Sequence, residues 1–299
     1  MSKKILVIGS SNTDMTIKGD RLPVPGETVT GGVFYMGPGG KGANQAVAAR
    51  RLGGDVSFIC KVGRDIFGDS ALEGYKKEGI DISHAMRSDK ASGTALILVD
   101  KTGENCISVA SGANADITPD DIDSVADVIR SAGYLILQLE IPVESVLRAA
   151  KIAHEAGVYV ILNPAPAREL PEELFKYISL MTPNRTETAF MSGQEVKDEA
   201  TLETAVAKLR DYGVQDFVVT LGSEGSLVFK GGKAEKIPSL KVKAVDATAA
   251  GDTFCGALCV GLSEGLDLGE AARFATKAAA ITVQRMGAQA SIPTRDEIE

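Results

Sequence analysis

The chain has 299 residues, 44% hydrophobic, 24% charged and 5% aromatic, with no tryptophan, which excludes a disordered or collagen-like chain and leaves one large domain or two. Lysine and arginine number 32 against 40 acids, a net charge of -8, so no broad basic field exists for a nucleic-acid backbone. Cys60, Cys106, Cys255 and Cys259 are too scattered for a disulfide framework or paired zinc spacing, and no apolar run reaches signal-core or membrane-span length, so the expectation is a soluble cytoplasmic protein with neither nucleic acid nor membrane as partner.

In chain order, short apolar runs bounded by Gly, Pro and Asn alternate with helix-period segments. A strand is expected at 4–8, then a polar run at 10–14, antiparallel ribbon at 28–36, and a Gly-rich turn leading into a helix at 42–52. A strand at 56–60 and a helix at 69–79 follow, then a second ribbon at 94–109 turning at 101–104. Thr118, Pro119, Asp120 and Asp121 supply a cap, a first-turn proline and early acids for a helix at 119–131. The run 134–139, the helix 142–157 and the run 158–162 make one βαβ unit. Strands at 180–182, 216–221 and 226–229 and helices at 201–212, 251–264 and 268–284 complete the pattern. Strands separated by crossover helices imply a mostly parallel sheet. The ribbons read either as a small sheet covering a ligand cleft or as an edge extension of the main sheet. No linker or repeat divides the chain, so the expectation is one α/β domain over 1–299 with lid segments at about 14–38 and 91–111.

Three stretches carry chemistry. Gly37 to Gly42 matches G-x-G-x-x-G formally, and its small residues would let backbone N–H groups approach a ligand at a helix start. It follows a ribbon, away from the first βα turn, and Gly42 stands where a Walker loop needs Ser or Thr, so neither dinucleotide nor P-loop binding is indicated. Asn12 and Asp14 follow the first strand at its C-terminal end and suit vicinal hydroxyls, or simply an Asx turn. Asp246 and Asp252 bracket Ala247-Thr-Ala-Ala-Gly251 ahead of a small-residue helix, where the N–H groups of Ala249, Ala250 and Gly251 would make an anion hole. His84 and His154 lack metal-ligand companions, and Cys255 and Cys259 at one-turn spacing read as core packing.

Taken together, these residues resemble the ribokinase-like family of carbohydrate kinases over essentially the whole chain. The motifs are Gly39-Gly-Lys-Gly-Ala-Asn-Gln-Ala46, Leu137-Gln-Leu-Glu140, Thr182-Pro-Asn-Arg-Thr-Glu187, Thr220-Leu-Gly-Ser-Glu-Gly225 and Asp246-Ala-Thr-Ala-Ala-Gly-Asp252, all in the family's order. The resemblance implies a Rossmann-like three-layer sandwich with a mostly parallel central sheet and a β lid that also joins a homodimer. It implies ATP-dependent phosphorylation of D-ribose at the 5-hydroxyl, with deoxyribose, fructose-phosphate or nucleoside phosphorylation and a non-catalytic sugar sensor as alternatives. In that reading Asp252 is the general base, and Ala249, Ala250 and Gly251 form the anion hole. Asn12, Asp14, Gly40, Lys41, Asn44 and Glu140 line the sugar site. Asn184 and Glu187 organise Mg²⁺ and phosphates; Thr220, Gly222, Ser223 and Gly225 take the nucleotide. Asp246, Thr248, Thr282, Arg285, Gly287 and Ser291 hold K⁺, mostly through backbone carbonyls. Two departures stand out. Ala249 replaces the family's usual Gly, an extra methyl expected to affect local packing only, and Arg185 stands where an acid is common.

Overall fold

A computed structural model describes residues 3–298. The chain begins with β1 (Ile5–Ile8), crosses into β2 (Asn12–Lys18) and β3 (Val33–Gly39), and returns through α1 (Lys41–Arg51) to β4 (Val56–Ile59). The short β5 (Lys61–Gly63), α2 (Ile66–Lys77) and β6 (Met86–Ser88) lead to the hairpin β7 (Gly93–Val99) and β8 (Asn105–Ala110). Then follow α3 (Pro119–Ser124), α4 (Ala126–Ser131), β9 (Tyr134–Leu137), α5 (Val143–Glu155), β10 (Tyr159–Leu162), α6 (Glu172–Phe175) and β11 (Leu180–Met181). The last third holds α7 (Arg185–Ser192), α8 (Glu199–Asp211), β12 (Asp216–Thr220), β13 (Ser226–Lys230), β14 (Lys233–Ile237), α9 (Ala250–Ser263) and α10 (Leu268–Thr282).

The main sheet runs β14-β13-β12-β11-β10-β9-β1-β4. The six strands from β12 to β4 are parallel, and β13 and β14 extend the sheet as an antiparallel meander. Every residue of β1 and β4 is buried, as strands covered on both faces require. Two apolar cores lie on opposite faces. Ile5, Val7, Ile136 and Ile161 pack with α1, α2, α9 and α10; Leu6, Ile8, Leu135 and Leu162 pack with α3, α5 and α8. Alternation along each strand thus feeds both sides of a three-layer α/β/α sandwich.

The ribbons form a separate four-stranded sheet, β3-β2-β7-β8. The polar run at 10–14, expected as a loop or Asx turn, becomes the start of β2: Asn12 pairs with Gly39 and Gly93, and Asp14 with Gly37 and Ala95. Residues 28–32 lie outside any strand, and ribbon pairing on that side starts at Val33. The expected helix at 119–131 divides at Val125 (φ -112°, ψ 15°), after a capping box in which Thr118 and Asp121 serve each other's backbone N–H. β14, β5, β6, α6 and α7 are additions to the expected elements. α7 carries a readable signal, since Asn184 and Glu187 form a capping box. Among the described residues no helix is long and apolar enough to cross a membrane.

Candidate active site

A cleft of about 420 Å³ opens between the C-terminal ends of the parallel strands and the small sheet, the crevice where open α/β sheets receive ligands. It brings together Asn12, Asp14, Gly40, Lys41, Asn44, Glu140, Asn184, Glu187, Thr220, Thr248, Ala249, Gly251 and Asp252. Ala95, Ile97, Ile107 and Val109 of β7 and β8 form its apolar roof. Gly222, Ser223 and Gly225 lie outside this lining, on the 3-10 turn after β12 and the residue that ends it. Asp246, Ala250, Thr282, Arg285, Gly287 and Ser291 also lie outside it.

The start of α1 is closed. Gly40 adopts φ 90° as its cap, and Gly42 sits so close to the β1 loop that a Cβ there would lie 2.6 Å from the Ser10 nitrogen. The first amides are spent within the protein. Lys41 N–H donates to Glu140 Oε2 (3.0 Å), Gly42 N–H to Ser10 Oγ (3.2 Å) and Ala43 N–H to the Ser10 carbonyl (2.9 Å). The expectation that this Gly-rich turn offers its N–H groups to a ligand is therefore corrected. Its small residues serve a tight internal junction, and the ligand face is left to side chains.

Those side chains are chiefly acids and amides. Ser10 Oγ donates to Glu140 Oε2 at 2.5 Å, and Asn114 Nδ2 donates to Asn12 Oδ1 at 2.7 Å. Asn114, buried in the turn after β8, is a site residue that no sequence motif indicated. Asp14 lies between two further carboxylates. Burial, then the charges of Glu140 and Asp252, push its pKa up to about 6. Lys41 balances them: Asp252 raises its pKa more than burial lowers it, with Glu140 and Glu187 adding. Asn44 has its buried Oδ1 without a hydrogen-bond partner among the described residues.

The start of α9 is open. Ala249 is its cap in the left-handed region (φ 60°, ψ 7°), with no side chain capping the turn. It is the sole non-glycine with positive φ among the described residues. Its methyl group therefore bears on backbone strain, of order 1–2 kcal/mol, and the expectation that only local packing is affected is corrected. The Ala250 N–H turns back to the Ala247 carbonyl at 3.2 Å, so it is already shared within the turn. A Cβ on Gly251 would meet nothing within 4 Å, so an anion can approach this helix end closely. Asp252 follows, 7% exposed, accepting from Asn44 Nδ2 (2.9 Å) and Gln45 Nε2 (3.0 Å).

Residues 2–295 match the family described as pfkB family carbohydrate kinase. The chain belongs to this family of carbohydrate kinases. It is 43% identical to the ribokinase of Haemophilus influenzae over 99% of this chain and 97% of that one. It is equally identical to a bifunctional ribokinase/ribose-5-phosphate isomerase A of Fructilactobacillus sanfranciscensis, of which it spans 55%. Among solved structures, an Arabidopsis thaliana ribokinase complexed with ribose and ATP superposes with a TM-score of 0.92, at 33% identity, covering 100% of this chain and 98% of that one.

Two more groups of residues expected in this kinase fold are placed by the structure. On the far lip, Asn184 Oδ1 accepts from Glu187 N–H and Glu187 Oε2 accepts from Asn184 N–H, both at 2.8 Å, so part of their capacity goes to capping α7. Burial keeps the Glu187 carboxyl above its ordinary pKa despite that bond. Arg185 leans on Glu224 (2.9 Å) of the turn after β12. Behind α9, Asp246 Oδ1 accepts from Thr248 N–H and Oγ1–H (2.9 and 2.6 Å), and Oδ2 accepts from Gly287 N–H (2.9 Å). These bonds outweigh burial and hold its pKa below the ordinary value. Thr282 donates to Thr253 and Ala278, Ser291 donates to Ala288, and Arg285 pairs with Glu297.

Proposed function

We propose that this carbohydrate kinase transfers the γ-phosphoryl group of ATP to the 5-hydroxyl of D-ribose. The observation that carries the reading is the pairing of Asp252 with the open start of α9 at the floor of a cleft walled by Asn12, Asp14, Asn44 and Glu140. Asp252 takes the proton of the attacking hydroxyl, and the amides around Gly251 receive the charge gathering on the transferred phosphoryl. Lys41 offsets the carboxylates around it. Asn12, Asp14, Lys41, Asn44 and Glu140 hold the sugar, with Gly40 shaping the wall beside them, while Thr220 and the turn carrying Gly222, Ser223 and Gly225 face the nucleotide.

Among the described residues no group of three or more His, Cys, Asp or Glu is assembled to hold a metal ion. Asn184 and Glu187, which line the cleft, would serve Mg²⁺ carried in on the ATP phosphates, since Mg²⁺ keeps waters and phosphate oxygens as ligands. Around Asp246 the side chains are spent on protein partners, Gly287 N–H and Thr253 among them, and a cation would be held through backbone carbonyls from 246–248 and 282–291. That oxygen-only set fits K⁺, which would fix the carbonyls and so the amides that follow. The chain is read as one catalytic domain whose small sheet is a lid. Alternation puts Ile17, Phe34, Met36 and Leu96 on the lid face away from the cleft, each more than 40% exposed, which supports a homodimer through that face.

Comparing kcat/KM for ribose and 2-deoxyribose tests the substrate. A site built for a hydroxyl leaves buried polar groups unpaired when it is missing, so the deoxy sugar is expected to fall by about 10- to 100-fold. Equal values would overturn ribose as the substrate.

A further inference from the structure

Asp252 reaches the cleft from a helix remote in sequence from the strand ends that build the rest of the floor, and its carboxylate is gripped by two amides of α1, one of them held in turn by those strand ends. Gln45, 0% exposed in α1, donates one Nε2 hydrogen to Asp252 Oδ1 (3.0 Å) and the other to Asn163 Oδ1 (3.0 Å). Its Oε1 accepts from Gln138 Nε2 at 2.7 Å. All of the usual capacity of its two N–H groups, and one acceptor site, is thereby committed. Asn163, just past β10, anchors its own Nδ2 on the Thr182 carbonyl (2.9 Å) after β11. Gln138, just past β9, lies against Gly9 at the end of β1, where any Cβ would strike its Oε1. Four strand ends therefore set the direction of one amide.

We propose that Gln45 is a positioning residue for phosphoryl transfer: held by Gln138 and Asn163, it orients the Asp252 carboxylate so that a lone pair faces the sugar hydroxyl. The inference rests on Asp252 being the base, as in the function proposed above. Two amide donors on the core side, Asn44 on Oδ2 and Gln45 on Oδ1, use one site on each oxygen and leave the cleft-side lone pairs for the incoming proton. The charged and titratable groups around Asp252 are Lys41 from α1, Asp14 from β2, Glu140 after β9, Glu187 from α7 and the Cys255 thiol of α9.

Two variants separate orientation from mere packing. Gln45→Leu removes both donors, while the near-isosteric Gln45→Glu keeps the shape and sets a second carboxyl against Asp252. With ATP, Mg²⁺ and saturating ribose, Gln45→Leu is expected to lower kcat by about 10- to 100-fold with KM for ribose within about threefold. Gln45→Glu is expected to move the acid limb of the kcat–pH profile upward by about one unit or more, because neighbouring carboxylates resist joint ionisation. If Gln45→Leu does not fold, the Gln45→Glu profile decides alone. A merely structural role would lower the melting temperature and keep kcat within twofold in both variants, and that result, or an unmoved acid limb in Gln45→Glu, overturns the proposal. Failure of unaltered enzyme to turn over ribose would instead overturn the substrate reading; the variants are then compared on the sugar that the unaltered enzyme does phosphorylate.

Discussion

Two helices begin at the floor of the same cleft, and their first turns do opposite things. At α1, glycine density buys proximity between parts of the protein: Gly42 rests on the β1 loop, and the Lys41, Gly42 and Ala43 amides are consumed by Glu140 and Ser10. At α9, no side chain caps the turn, and the space beyond Gly251 is empty. Both turns are rich in Gly and Ala. What separates them is how far protein acceptors already take up the orphan N–H groups that every helix start carries: Lys41, Gly42 and Ala43 are taken at α1, against Ala250 at α9. In the proposed function the closed start backs the sugar wall, and the open one receives the charge of the phosphoryl group.

The strongest challenge to this contrast is Asp252→Asn, which leaves both helix starts in place, removes the proposed base and sets one new N–H₂ against the Asn44 or Gln45 amide. It is expected to lower kcat by about 10² to 10⁴ with ribose affinity nearly intact; near-full turnover in steady-state assays would contradict the assignment.

Adding one methyl to each start sharpens the comparison. Gly42→Ala must push the Ser10 and Gly9 backbone aside, so a loss of about 2–4 kcal/mol, read by denaturant unfolding, is expected. Gly251→Ala meets open space, so stability should hold within about 0.5 kcal/mol while kcat/KM for ATP drops by about tenfold or more. Equal stability losses in the two variants would erase the distinction.

Asp14 supplies a pH test on the closed side. Its pKa is raised from 3.8 to about 6 in the folded protein, so between these values the folded state binds more protons than the unfolded state and stability falls as pH rises. The cost is complete above about pH 6. Asp14→Asn should therefore stabilise the protein at neutral pH, by up to about 2 kcal/mol, and give no gain near pH 4. The same substitution should weaken ribose binding, and wild-type KM for ribose should rise as pH falls below about 6. A melting-temperature difference independent of pH would contradict the raised pKa.

The smallest effect belongs to the open start. Ala249→Gly relieves the left-handed strain at φ 60°, partly offset by the greater freedom of glycine in the unfolded chain. A rise in melting temperature of about 1–2 °C is expected by calorimetry. A fall would show that the Ala249 methyl contributes packing that outweighs the strain.

Much of this protein was legible from local pattern. The alternation of apolar runs and helical periods determined the parallel sheet and its two helical layers, because burial on both faces leaves a periodic mark in the chain. Thr118 with Asp121 announced a helix start, and Asn184 with Glu187 carried the same signal for α7, since capping is a contact between residues three apart. The chain order of the motifs, from Gly39-Gly-Lys-Gly42 to Ala250-Gly-Asp252, was enough to point to the carbohydrate kinase family. Local pattern was silent on contacts between residues far apart in sequence. Asn114 reaches Asn12 across 102 positions and Gln45 reaches Asp252 across 207, and no periodicity encodes such pairs. The glycines after β3 likewise gave no sign of whether their amides face ligand or Ser10 and Glu140, nor did Ala249 disclose its positive φ. Hydrogen-bond satisfaction and backbone strain depend on what lies across the cleft, and only the packed tertiary structure brings that within reach.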